Sequence, residues 1–288
     1  MANPGAAACE NLAYGAGGKV IVRNALTGRL EKEINTSYNY IFDLAFSPNG
    51  KYLAVNGQSR RIELWDLEKW SYVGSLVGDS GVAPCSMVWS PLGNYLAVAC
   101  SGLAEKIYIW NPVNKQQERT LDGLEGAVSD MAWSPDGRLL VSAGEDEVGE
   151  KDKILLVWDL ATRQATPLPG HKDKVRAVAF SADGRVLASG SADRSVILWD
   201  MNNFVPVDQL QDFGDQVTSL DFSSQGESLL AAASLDRTVK LYKLVPRESL
   251  YEIVSFGKGL VKGLSFLTDS TLVVAGGRTD RIELTEAN

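Results

Sequence analysis

His171 is the only histidine in the chain. With Ser189 and Asp193 it supplies the residue types of a nucleophilic triad: a hydroxyl to attack, an imidazole to take its proton and a carboxylate to orient the ring. A metal role is harder to build, because no second histidine exists for a typical zinc or iron site. Cys9, Cys85 and Cys100 are an odd, sparse set with no close Cys motif and no basic neighbours to mark a reactive thiol. Cys85 and Cys100 read as small buried apolar residues on strands. Gly15-Ala16-Gly17-Gly18 has the glycines of a phosphate loop but lacks the Gly-Lys-Ser/Thr ending and the following helix, and reads as a turn. The segment from Glu145 to Lys153 gathers carboxylates at Glu145, Glu147 and Glu150, without the spacing of a calcium loop. It reads as a solvated acidic loop, with partner contact as the second option. No cofactor and no metal are expected.

The chain has 288 residues, 45% hydrophobic and 22% charged, the composition of a globular rather than a disordered protein. No apolar run approaches the roughly 18–20 residues of a membrane helix, and the start Met-Ala-Asn-Pro-Gly lacks the features of a secretory signal. With few cysteines, a reducing, cytoplasmic setting is the simplest expectation. The net charge of −8 argues against nucleic acid as the main partner.

The residues above must be positioned by something, and the chain is dominated by a repeat. One phrase recurs as Ala45-Phe46-Ser47-Pro48-Asn49-Gly50, Val88-Trp89-Ser90-Pro91-Leu92-Gly93, Ala132-Trp133-Ser134-Pro135-Asp136-Gly137, Ala179-Phe180-Ser181-Ala182-Asp183-Gly184 and Asp221-Phe222-Ser223-Ser224-Gln225-Gly226, with a degenerate copy at 265–270. A second phrase follows each by about twenty residues: Trp65-Asp66, Trp110-Asn111, Trp158-Asp159, Trp199-Asp200 and Tyr242-Lys243, with weaker copies at 21–24 and 283–286. Seven copies of about 41 residues fit the period of four-stranded propeller blades. Alternation such as Val175-Arg176-Ala177-Val178-Ala179-Phe180 is a strand signal, and the Ser-Pro-Asp-Gly turn supplies a preset φ followed by a positive one. A more polar fourth strand, Arg29 to Ile34 for instance, reads as a solvent-facing outer edge.

At these residues the sequence resembles the WD40-repeat family over nearly its whole length. The resemblance implies an all-β fold, a seven-bladed β-propeller of four-stranded antiparallel blades with the first and last abbreviated. It would be a single domain over 1–288 with blades near 5–35, 40–78, 83–122, 127–168, 173–211, 215–254 and 259–288. The best copy has Gly170-His171, Ser189, Asp193 and Trp199-Asp200. In the family such residues form a buried chain: indole N–H to hydroxyl, hydroxyl to imidazole, imidazole to carboxylate. His171, Ser189, Asp193 and Trp199 are therefore expected to be a structural tetrad rather than a catalytic triad, and no catalytic residue is expected. Blade 6 keeps Ser234, Asp236 and Tyr242 but has no histidine. The first strand of blade 1 can only be Ala6 to Cys9, and blade 7 ends too soon to supply its own outer strand. Either that edge is short or the chain was cut from a longer one; six blades of 48 residues are the alternative.

The family resemblance implies a non-catalytic scaffold that binds a partner protein or peptide on one face. By alignment to Lys174 and Arg176, the exposed leading positions are Tyr40 and Phe42 in blade 2, Ala83 and Cys85 in blade 3, Ala127 and Ser129 in blade 4, Gln216 and Thr218 in blade 6, and Leu260 and Lys262 in blade 7. One sector presents aromatics, with Tyr38 beside them, and another the cations Lys174, Arg176 and Lys262. The loop carrying Glu145 and Glu147 opens on the same face. Against this stands a plainer reading, in which the aromatics cover the channel mouth and Arg176 pairs with the acidic loop. The alternatives are a sensor portion of a larger signalling protein and a propeller hydrolase. A membrane-lipid role would ask for the paired-arginine motif of phosphoinositide-binding propellers, which Arg278-Thr279-Asp280-Arg281 does not match. The segments 12–15 and 20–24 also resemble actin-interacting WD-repeat proteins.

Overall fold

A computed structural model of the chain describes residues 2–3, 11–25, 27–59, 61–77, 83–101, 106–122, 126–145, 155–224, 229–244, 247–254, 261–268, 271–276 and 282–286. The strand proposed over Ala6 to Cys9 and the site residue Glu147 lie outside them. The fold is all-β, of the propeller-blade class, and the described strands form seven sheets. Sheet 1 contains β2 (Asn11–Ala16), β3 (Lys19–Asn24) and β4 (Leu30–Asn35). Sheet 2 contains β5 (Ile41–Phe46), β6 (Tyr52–Gly57), β7 (Arg61–Asp66) and β8 (Ser71–Val77), with the two-residue β1 (Ala2–Asn3) parallel to β5. Sheet 3 contains β9 (Ala83–Trp89), β10 (Leu96–Ser101), β11 (Lys106–Asn111) and β12 (Gln116–Asp122). Sheet 4 contains β13 (Val128–Trp133), β14 (Leu139–Gly144), β15 (Leu155–Asp159) and β16 (Gln164–Pro167). Sheet 5 contains β17 (Val175–Phe180), β18 (Val186–Ser191), β19 (Val196–Asp200) and β20 (Val205–Leu210). Sheet 6 contains β21 (Val217–Phe222), β22 (Leu229–Ser234), β23 (Thr238–Leu244) and β24 (Arg247–Val254), and sheet 7 β25 (Val261–Thr268), β26 (Thr271–Gly276) and β27 (Ile282–Glu286). The chain divides into two compact units, 1–128 and 129–288.

The recurring turn works as its residue types require. In Ser134-Pro135-Asp136-Gly137, Asp136 Oδ1 accepts from Ser134 Oγ at 2.5 Å and from the Arg138 amide at 3.0 Å, while Gly137 takes φ 70°. Asp183 and Asn49 repeat the arrangement for Ser181 and Ser47. In sheet 3, where Leu92 occupies that position, the hydroxyl of Ser90 donates to Asn94 instead.

Buried residues gather between successive sheets. Ala177, Ala188 and Leu198 of sheet 5 meet Val217, Leu220 and Leu230 of sheet 6, and Ala54 and Leu64 of sheet 2 meet Met87, Leu96 and Val98 of sheet 3. Sheets 2, 5 and 6 each contribute buried residues to two such layers and are thus apolar on both faces. That is why the inner strands read as near-continuous apolar runs such as Leu229-Leu230-Ala231-Ala232-Ala233.

Candidate interaction surface

Five of the leading strands, β5, β9, β17, β21 and β25, share a backbone irregularity that re-aims a side chain. In β5 the register passes from Ile41↔Gly57 to Asp43↔Asn56, skipping Phe42. In β17 it skips Arg176, between Val175↔Ser191 and Ala177↔Gly190. Thr218 in β21, Lys262 in β25 and Cys85 in β9 occupy the same place. Each is the extra residue of a β-bulge, a device that bends the strand and re-aims one side chain. These are the second of the two leading positions picked out by alignment. Of the side chains of Lys262, Cys85 and Cys100 nothing further is described.

In the first unit, Tyr40 and Phe42 are 66% and 54% exposed, and they flank Ile41 at the start of β5. The strand beneath them is tied down. The half-buried Asp43 accepts from the Leu44 amide at 2.9 Å through Oδ1 and from the Met87 amide of β9 at 3.0 Å through Oδ2. Burial pushes the Asp43 carboxyl up to about 6. Tyr38 does not join the exposed pair: it is 3% exposed and donates its hydroxyl to the carbonyl of Arg61 at 2.7 Å. Its ring fills the space over Gly57, where a Cβ would lie 2.4 Å from Tyr38 Cγ, and burial pushes the phenol up to about 12.

In the second unit, Lys174 and Arg176 meet Glu145, the residue after β14. Lys174 Nζ lies 2.5 Å from Glu145 Oε2, and Arg176 Nη1 lies 3.1 Å from Glu145 Oε1. The pairing weighed for Arg176 from sequence is present, and Lys174 shares it. The strand below is again tied by a carboxylate, since the Val178 amide donates to Asp130 Oδ2 at 3.0 Å. Asp221 makes the third such tie, accepting from the Phe266 amide and the Ser265 hydroxyl, each at 2.8 Å. These three aspartates were not picked out from the sequence. Asp-x-x-aromatic at 43–46 and 130–133 is the signal that marks two of them.

Inside sheet 5 four side chains are hydrogen-bonded in series. Trp199 Nε1 donates to Ser189 Oγ at 2.8 Å, Ser189 Oγ lies 2.8 Å from His171 Nε2, and His171 Nδ1 lies 3.0 Å from Asp193 Oδ2. Burial opposes the charge on Asp193. Bonds from His171, Ser195 and the Lys172 amide outweigh that burial and hold the carboxyl well below the usual range. The imidazole is 2% exposed and engaged on both nitrogens, so Ser189 has no open face toward a substrate.

Two sheets reach the same end with other residues. In sheet 6 the hydroxyl of Tyr242 donates to Asp212 at 2.8 Å, and the buried Lys240 Nζ lies 2.6 Å from the Asp212 carbonyl oxygen, 3.3 Å from its carboxylate and 5.3 Å from the centre of the Phe213 ring. In sheet 2 the buried Glu63 accepts from Trp65 Nε1 at 3.2 Å, from the Ser37 amide at 3.1 Å and from the Ser37 hydroxyl. Among the described residues, no group of three or more His, Cys, Asp or Glu side chains is placed to hold a metal ion.

Comparison with known proteins adds the following. The family model described as "WD domain, G-beta repeat" matches residues 28–66, 115–159, 162–200 and 205–243. The chain is 27% identical over 227 residues to the anaphase-promoting complex subunit cdc20 of Dictyostelium discoideum, covering 75% of this chain and 43% of that protein. It is 27% identical over 251 residues to actin-interacting protein 1 of Drosophila melanogaster, covering 85% and 40%, and 28% identical over 173 residues to Protein FIZZY-RELATED 2 of Arabidopsis thaliana, covering 59% and 34%. The chain therefore spans between 34% and 43% of the length of these relatives.

Proposed function

This chain belongs to the WD40-repeat family, and from that premise we propose that it is a non-catalytic scaffold for a protein or peptide partner, with Tyr40 and Phe42 as an apolar anchor. The observation that carries the reading is Phe42: a bulge residue, more than half exposed, next to an aspartate tied to the neighbouring sheet. An aromatic side chain on a fixed strand brings large contact area to an interface at small ordering cost, which is why such residues dominate binding energy. The names of two relatives, a complex subunit and an actin-interacting protein, describe proteins that work with other proteins. The reading assigns no catalytic residue, since the one histidine is used inside sheet 5.

The test is affinity capture from source lysate with the parent chain and a Tyr40→Ala, Phe42→Ala variant whose thermal unfolding matches it. Partners held by the parent and lost by the variant are expected; equal recovery would overturn the assignment of the anchor. Purified actin filaments are a defined first partner to include, by co-sedimentation.

A further inference from the structure

The ion cluster at the start of β17 has an arrangement that ordinary charge pairing does not require. Glu145 gives one carboxylate oxygen to each of two cations, Oε2 to Lys174 and Oε1 to Arg176. The backbone that carries both cations is held by groups other than Glu145. The Lys174 carbonyl accepts from the Ala192 amide at 2.8 Å, and the Lys174 amide donates to Asp173 Oδ1 at 2.7 Å. Arg176 is the extra residue of the bulge, on a strand tied through Val178 to Asp130. Both cations therefore project from a fixed backbone, and one carboxylate lies between them.

That carboxylate is replaceable. The Lys174, Arg176 and Glu145 side chains are 41%, 34% and 23% exposed, a range in which ion pairs are weak and exchange with other ions. Two cations share the single Glu145 carboxylate, on a chain whose overall charge is −8. Arg supplies a planar fork and Lys a mobile point charge, a combination suited to a carboxylate approaching from solvent.

We propose that Lys174 and Arg176 form a seat for an acidic side chain of a partner peptide, and that Glu145 occupies this seat as an internal competitor until the partner arrives. The proposal rests on the partner-binding reading above and names the chemistry of one contact.

The probe is a fluorescein-labelled hexaglutamate peptide, with hexaglutamine as control, followed by anisotropy at low salt. Glu145→Gln keeps the shape and removes the competing charge, so hexaglutamate binding is expected to tighten about tenfold, with no change for hexaglutamine. In the Glu145→Gln background, Lys174→Gln with Arg176→Gln abolishes the gain; if that variant does not fold, Arg176→Gln alone reduces it. Unchanged binding in Glu145→Gln, or a gain that survives loss of the cations, overturns the seat. Failure of the peptide test with aromatic-dependent partner capture intact thus refutes the seat alone, while loss of that dependence refutes the anchor alone.

Discussion

Asp43 Oδ2 accepts the backbone N–H of Met87 at 3.0 Å, joining the strand that presents Phe42 to the first strand of the next sheet. The tie uses no ladder hydrogen bond, because successive sheets meet face to face. A buried side chain must bridge them, and only a carboxylate offers two acceptors for the two amides, Leu44 and Met87, that lie within reach. Asp43→Ala leaves both amides without this acceptor, and a loss of about 1–3 kcal/mol is expected in urea unfolding. No loss of stability would mean that the tie is incidental.

Asp221 gives a pH dependence of unusual sign. Burial pushes its carboxyl up to about 6, against an ordinary value of 3.8. The folded state therefore holds the proton more tightly than the unfolded chain does. Its contribution to stability is fully present below pH 4 and is lost as pH rises to about 6, a change on the order of 3 kcal/mol. Comparing parent and Asp221→Ala by denaturant unfolding between pH 4 and 7, the parent's advantage should shrink with rising pH. A constant or growing advantage would contradict the assignment.

The series in sheet 5 should behave as one unit. Ser189→Ala strips Trp199 Nε1 and His171 Nε2 of a shared partner and is expected to cost about 2–3 kcal/mol. Trp199→Phe removes the donor, so adding Ser189→Ala to it should cost less than Ser189→Ala alone. Strictly additive losses in the double-mutant cycle would show that the bonds are not coupled.

Sheet 6 separates removal of one partner from removal of the charge. Asp212→Ala takes the carboxylate away from the buried Lys240 and the hydroxyl of Tyr242, with an expected cost of about 2 kcal/mol given the partial exposure of Asp212. Lys240→Met, which fills the same space without charge, should stay within about 1 kcal/mol of the parent. Thermal unfolding of the two variants decides; equal losses would point to packing rather than electrostatics.

The strand repeat and the turns were legible because each depends on residues close in sequence: the Trp-Asp phrases, the alternation, the glycine at a positive φ. What escaped the sequence reading depends on residues far apart. Glu63 and Lys240 stand two positions before Trp65 and Tyr242, where Leu156 and Ile197 are apolar in other sheets, and their partners Ser37 and Asp212 lie 26 and 28 residues away. Tyr38 was grouped with its exposed neighbours because its aromatic type fits either a surface or a core; the space over Gly57 decides for the core. Alignment found the leading positions but could not reveal the bulge, since an inserted residue leaves the apolar and polar letters unchanged. The pairing of Arg176 with the acidic loop was weighed from the sequence, whereas the share that Lys174 takes of Glu145, 29 residues away, was not.

A bulge residue also stands apart from the cross-strand pairs that hold register, so exchanging its side chain asks little of the sheet around it. Positions 42, 85, 176, 218 and 262 already carry phenylalanine, cysteine, arginine, threonine and lysine on the same backbone device. Evolution or design can therefore rewrite the surface such a chain presents one letter at a time, sheet by sheet, while the backbone that displays it stays unedited.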